Sequence, residues 1–131
     1  MPEVNKDEAF DQILLEAIDE GLLSLGESAK TVTLFHLEDH FRIRKSDIPS
    51  RIEDFADALE KIFGPGARLV EILIMKSLHT KIGVACKWSY YKNPLNKQVA
   101  PEVTFQKFVG LMQQIFEAED RDKTEIGVLV Y

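Results

Sequence analysis

The sequence predicts a mainly α protein, a single-domain bundle of about five helices with a small irregular or β element after Gly83. Two observations predict it. Apolar residues recur three and four apart along most of the chain, the period of one helix face. Capping pairs stand ahead of these stripes, and glycine or proline stands behind them.

In the first element, Asn5 and Glu8 offer a capping box, followed by Ala9, Phe10, Ile13, Leu14, Ala17, Ile18, Leu22 and Leu25, with Gly26 as the stop. A second helix starts near Glu27 or Ser28 and runs to Phe41, with Ala29, Val32, Phe35, Leu37 and Phe41 available for burial. The short link predicts an antiparallel hairpin of these two helices. Residues 42–49, RIRKSDIP, read as a connector whose Ile43 and Ile48 turn inward, and Pro49 biases Ile48 away from helical geometry.

The third element has the most consistent local signals. Ser50 and Glu53 stand at capping-box spacing, Ile52, Phe55, Ala56, Leu59, Ile62 and Phe63 form the stripe, and Gly64-Pro65-Gly66 makes a corner. A fourth helix follows over residues 67–82, closed by Gly83. Leu69, Val70, Ile72, Leu73, Ile74, Met75, Leu78 and Ile82 make it apolar around much of its girth. Such a helix is central in a bundle or lies in an oligomer interface. Residues 84–103 read as a loop or irregular hairpin. A fifth helix opens at Thr104 or Pro101, with Phe105, Phe108, Val109, Met112, Ile115 and Phe116 buried. The closing EIGVLVY reads as strand-like. The tail 1–5 and segment 118–131 are expected to be flexible or extended.

With 131 residues, the chain can bury roughly two-thirds of its unfolded surface. A net charge of −6 argues against general affinity for nucleic acid or anionic membrane. The charge is unevenly spread. Residues 1–27 hold eight acids against Lys6 alone, and residues 76–107 hold six lysines against Glu102 alone. The first helix could therefore complement the later lysines, within the chain or between chains. One cysteine, Cys86, excludes an internal disulfide, and the polar, acidic start is unlike a targeting peptide. The expected location is cytoplasmic, with no membrane span.

LLEAIDEGLLSLGES, FHLEDHF, DIPSRIEDFADALEKIFGPGA and LIMKSLHTKIG together resemble the archaeal Nitrosopumilus output domain family, of the fifth type. The resemblance covers roughly residues 12–83, and the DIP-to-FGPGA stretch is its most specific part. It implies a helical module acting as an output or interaction part in archaeal signalling, and it brings no catalytic motif. EIGVLVY has no counterpart in that family.

Three constellations could carry chemistry. His36 and His40 stand four apart on one helix face, a spacing at which two imidazoles can share a metal. A third ligand is not specified, and the simpler reading has one histidine packed at the helix edge and the other solvated. CKWSYYK interleaves Lys87 and Lys92 with Trp88, Tyr90 and Tyr91, a pattern able to stack bases beside phosphates. The acidic chain opposes that reading, and these aromatics serve better as protein-contact anchors. Cys86 lacks a fixed base, so an inert thiol is expected. No cofactor is expected.

The sequence therefore points to a non-enzymatic signal-output or protein–protein interaction module that self-associates as a dimer. Its contacts fall at Trp88, Tyr90 and Tyr91 and on the acidic face of the first helix. One alternative is a small-ligand or metal-binding sensor using His36, His40 and His79. Another is a transcription-associated domain touching nucleic acid through residues 86–97.

Overall fold

The structure is a computed structural model that describes the backbone of residues 6–85 and 104–130 and the side chains within 8–85 and 104–118. Five α-helices are present among these residues: α1 (Lys6–Leu23), α2 (Glu27–Phe41), α3 (Ile52–Phe63), α4 (Ala67–Ala85) and α5 (Phe105–Val130). Two 3-10 turns, Lys45–Ser50 and Gly64–Gly66, precede α3 and α4. No strand occurs among the described residues, so the architecture is mainly α. Of the irregular or β element expected over residues 84–103, Val84 and Ala85 belong instead to α4, and residues 86–103 lie outside the described residues, as does Asn5 of the proposed α1 capping box.

The broadly apolar α4 is the central helix, packed against α1, α3 and α5. Ala67, Val70, Ile74, Met75, Leu78 and Ile82 are its buried stripe. It meets Phe10, Leu14, Ala17, Ile18 and Leu22 of α1, Phe55, Ala58 and Leu59 of α3, and Phe105, Phe108, Val109 and Met112 of α5 in one core. Burial of each large side chain here is worth about 1.5–3 kcal/mol. Two tilted aromatic pairs link distant elements. Phe10 lies 6.2 Å from Phe116, and Phe55 lies 6.0 Å from Phe105, between ring centroids. Gly83 does not close α4, which continues to Ala85; one helical glycine costs only about 1 kcal/mol.

Several local devices differ from those expected. The regular part of α1 ends at Leu23, before Gly26. The backbone N–H of Gly26 bonds Leu23 O at 2.9 Å, and Gly26 O then accepts from Lys30 N to open α2. The Ser50–Glu53 capping box does not form. Pro49 lies inside a 3-10 turn that still includes Ser50, so the Ser50 hydroxyl bonds back to Asp47 O at 3.0 Å. Arg51 stands at the N-cap of α3 instead. Its Nε donates to Asp54 Oδ2 (3.0 Å) and its Nη1 to Arg42 O (2.7 Å).

Ile43 and Ile48 are buried, as expected of the connector. Ile43 N donates to Leu37 O at 2.9 Å, closing α2 over a left-handed Arg42 (φ 56°). The corner after α3 uses Gly64 at φ 57° and ψ −131°, backbone that favours glycine. Thr104 caps α5 by accepting from Lys107 N at 3.2 Å. That helix continues to Val130, so segment 118–130, including most of the strand-like EIGVLVY, is helical rather than extended. Residues 117–123, EAEDRDK, contain no glycine or proline, and propagating an existing helix costs far less than nucleating one.

Candidate functional site

The second helix carries the most informative surface, because its inward and outward faces are sharply distinguished. Thr33 and Leu37 point into the fold, against α1 and α3. The buried Thr33 hydroxyl is satisfied by Ala29 O at 2.7 Å. A residue two positions from Leu37 lies about 200° around the helix, so Phe35 must face the other way. Phe35 is 62% exposed and Val32 52% exposed, which corrects the expectation that both are buried. A helix resting on two neighbours has room for only one stripe.

His36 and His40 lie on the flank of this outward face. Their Nδ1 atoms are 3.1 Å apart, with one ring N–H donating to the other ring's lone pair and the centroids 4.8 Å apart. Asp39 Oδ2 lies 3.5 Å from His40 Nδ1, and both of those side chains are more than half exposed. Phe35 sits edge-on to His36 at 6.2 Å. The fold thus brings the two histidines together as their spacing predicts. His79, offered with them as a third sensor group, comes from α4. Among the described residues, no three His, Cys, Asp or Glu side chains converge on a common ion position.

A second surface lies between α1 and α4. This open groove of about 660 Å³ has Ile13 and Leu73 in its lining and Glu16, Glu20, Lys76 and Lys81 as its charged groups. Lys81 Nζ pairs with Glu20 and lies 3.9 Å from Glu16, while Ser77 Oγ donates to Glu20 Oε1 at 3.0 Å. Asp19 receives Lys45 and lies 3.8 Å from Lys30. Within the chain, then, the acidic face of α1 meets Lys81 of the lysine-rich segment together with Lys30 and Lys45. The uneven charge of the two segments is the sequence signal for Lys81 meeting α1, whereas the pairing of Asp19 with Lys30 and Lys45 has none.

The carboxylates respond in opposite directions. The Lys81 hydrogen bond, despite opposing desolvation and with help from Ser77, holds the Glu20 carboxyl below its ordinary 4.5. Burial pushes Glu71 above 4.5, and Arg68, 3.6 Å away, offsets only part of this. Glu20 therefore contributes stability above pH 4.5 that is lost as pH falls through its lowered folded pKa. Glu71 has the reverse sign: its contribution is present at low pH and is lost as pH rises through the raised value. Urea melts across pH are expected to show Glu20→Gln losing about 0.2–1 kcal/mol at neutral pH and nearly nothing in acid, since the pair is solvent-exposed. Glu71→Gln is expected to be neutral or stabilising at neutral pH.

Trp88, Tyr90, Tyr91, Lys87 and Lys92, the expected contact residues, lie outside the described residues, as does Cys86. Among the described residues, no helix is long and apolar enough to cross a membrane. No protein-family model, curated protein or solved structure matches this chain.

Proposed function

We propose that this chain is a non-enzymatic helical module of the signal-output or protein–protein interaction class, working in the cytoplasm, and that it self-associates through the outward face of α2. The observation that carries this reading is Phe35, an aromatic ring 62% exposed beside an exposed Val32, on a fold that buries Phe10, Phe55 and Phe105 almost completely. Large aromatic residues anchor protein contacts because they bury much area for little conformational entropy. The Trp88–Tyr90–Tyr91 cluster, flanked by Lys87 and Lys92, supports the same reading from the sequence. The resemblance of residues 12–83 to an archaeal output domain points the same way.

Sedimentation equilibrium over a wide concentration range tests it. The wild-type mass is expected to rise toward two chains, and Phe35→Glu is expected to weaken association by at least about tenfold, the cost of one modest contact anchor. Because Phe35 is exposed, the variant should keep the parent circular dichroism spectrum. A mass that stays at one chain throughout, with and without divalent ions in the buffer, defeats the reading.

A further inference from the structure

We infer that His36 and His40 form one half of a site for a borderline transition-metal ion, Zn²⁺ in the first instance, and that the same two histidines of a second copy complete it. This deepens the self-association reading and rests on it, since it names what holds the two outward faces of α2 together.

The ligand spacing is already present on one helix. A four-coordinate zinc ion with Zn–N bonds of about 2.0–2.1 Å holds neighbouring ligand atoms about 3.3 Å apart. The Nδ1 atoms of His36 and His40 stand 3.1 Å apart, close to that separation, and to share an ion the rings must give up their mutual hydrogen bond and swing so that both lone pairs face one point. Imidazole is the ligand type that suits Zn²⁺, Cu²⁺ and Ni²⁺. His40 is exposed and His36 is half-buried at the helix edge, so solvated ions can reach the pair from the His40 side.

Coordination arithmetic favours a second copy. One chain supplies two nitrogens, while a closed tetrahedral zinc site takes four protein ligands. A two-fold axis through the ion doubles the pair with no further residue type, because an isologous contact repeats the same patch on both partners. The neighbouring surface fits that arrangement. Val32 and Phe35 lie within about one helical turn of the pair, so two copies joined at the histidines would also bring these apolar groups toward the seam.

Charge supplies an independent argument. Asp39 Oδ2 lies 3.5 Å from His40 Nδ1, and the Asp39 side chain is more than half exposed. Two such faces meet acid against acid, which repels. A divalent cation at the axis reverses that sign and makes the association depend on the ion.

The test uses the full, tag-free chain, with Zn²⁺ alone as the probe. Titration calorimetry and light scattering are run in parallel, in chelator and with added Zn²⁺, on wild type, His36→Gln and His40→Gln. The expected result is one ion per two chains, a dimer that forms only with Zn²⁺, and at least about tenfold weaker binding in either variant. Co²⁺ in place of Zn²⁺ is expected to give the intense visible band of a tetrahedral ion. Circular dichroism of the variants should match the parent, which separates lost ligation from lost folding. A dimer that forms equally in chelator overturns the metal bridge but leaves self-association standing. Zinc bound at one ion per chain without a dimer overturns both, as does a monomer that takes up no zinc.

Discussion

Phe55→Ala is expected to destabilise the fold by about 3–5 kcal/mol, the range for removing a fully buried phenylalanine. Phe55 has no exposed surface and faces Phe105 at 6.0 Å with the rings tilted 47°. The loss therefore includes the transfer energy of the ring, a cavity between α3 and α5, and the aromatic pair itself, worth about 0.5–1.5 kcal/mol. Against a total stability of about 5–15 kcal/mol, that is a large share. It corresponds to a fall in melting temperature of roughly 10–20 °C. Thermal melts of Phe55→Ala, Phe105→Ala and the double variant form the check. The two single losses should sum to more than the double loss, because each truncation already forfeits the shared contact. Strict additivity would mean that the α3–α5 seam is not a working contact.

That seam was readable in the sequence because each side follows a helical period. Phe55, Ala56 and Leu59 of α3 and Phe105, Phe108, Val109 and Met112 of α5 are stripe residues that spacing selects and the fold buries, whereas Ile52, Ile62, Phe63, Ile115 and Phe116 of the same stripes are only half-buried. The second helix was less readable for a definite reason. Its apolar residues surround the axis instead of forming one stripe, so Phe35 and Leu37 competed for the core and neighbours decided between them. The close approach of His36 to His40 was readable, since positions four apart are neighbours on any helix. The exposure of Phe35 beside them was not, and it is this exposure that turns a histidine pair into part of a surface.

Termini and turns failed for local reasons. Ser50 looked like a cap because Glu53 follows it, yet Pro49 drew the serine into the preceding 3-10 turn. Arg42 adopts a left-handed conformation usually given to glycine, held by the bond from Ile43 N to Leu37 O. EIGVLVY is strand-like by composition, but it follows a helix that has already been nucleated. The pairs of Asp19 with Lys45 and Glu20 with Lys81 join residues far apart in sequence, and they exist only because α1 packs on the connector and on α4.

Gly21→Ala is expected to destabilise by about 1–3 kcal/mol, opposite in sign to the usual outcome of that change in a helix. In an exposed helix interior, alanine is better than glycine by about 1 kcal/mol. Gly21 instead lies in the buried contact of α1 with α4. A methyl group there would meet Ile74 Cγ1 at 2.6 Å and the Ile74 backbone Cα and N at 3.0 Å. The first clash could be relieved by a change of rotamer. The other two involve backbone, so α1 would have to shift away from α4, loosening the seam between Leu14, Ile18 and Leu22 on one side and Ile74 and Leu78 on the other. A glycine inside the α1 stripe is the sequence signal for such an approach. Chemical denaturation of Gly21→Ala beside the control Gly110→Ala, where a Cβ has nothing within 4 Å, separates the two effects. Gly110→Ala should gain up to about 1 kcal/mol and Gly21→Ala should lose. Gains at both positions would show that the two helices do not cross as closely as Gly21 and Ile74 require, and the central packing of α4 would need revision.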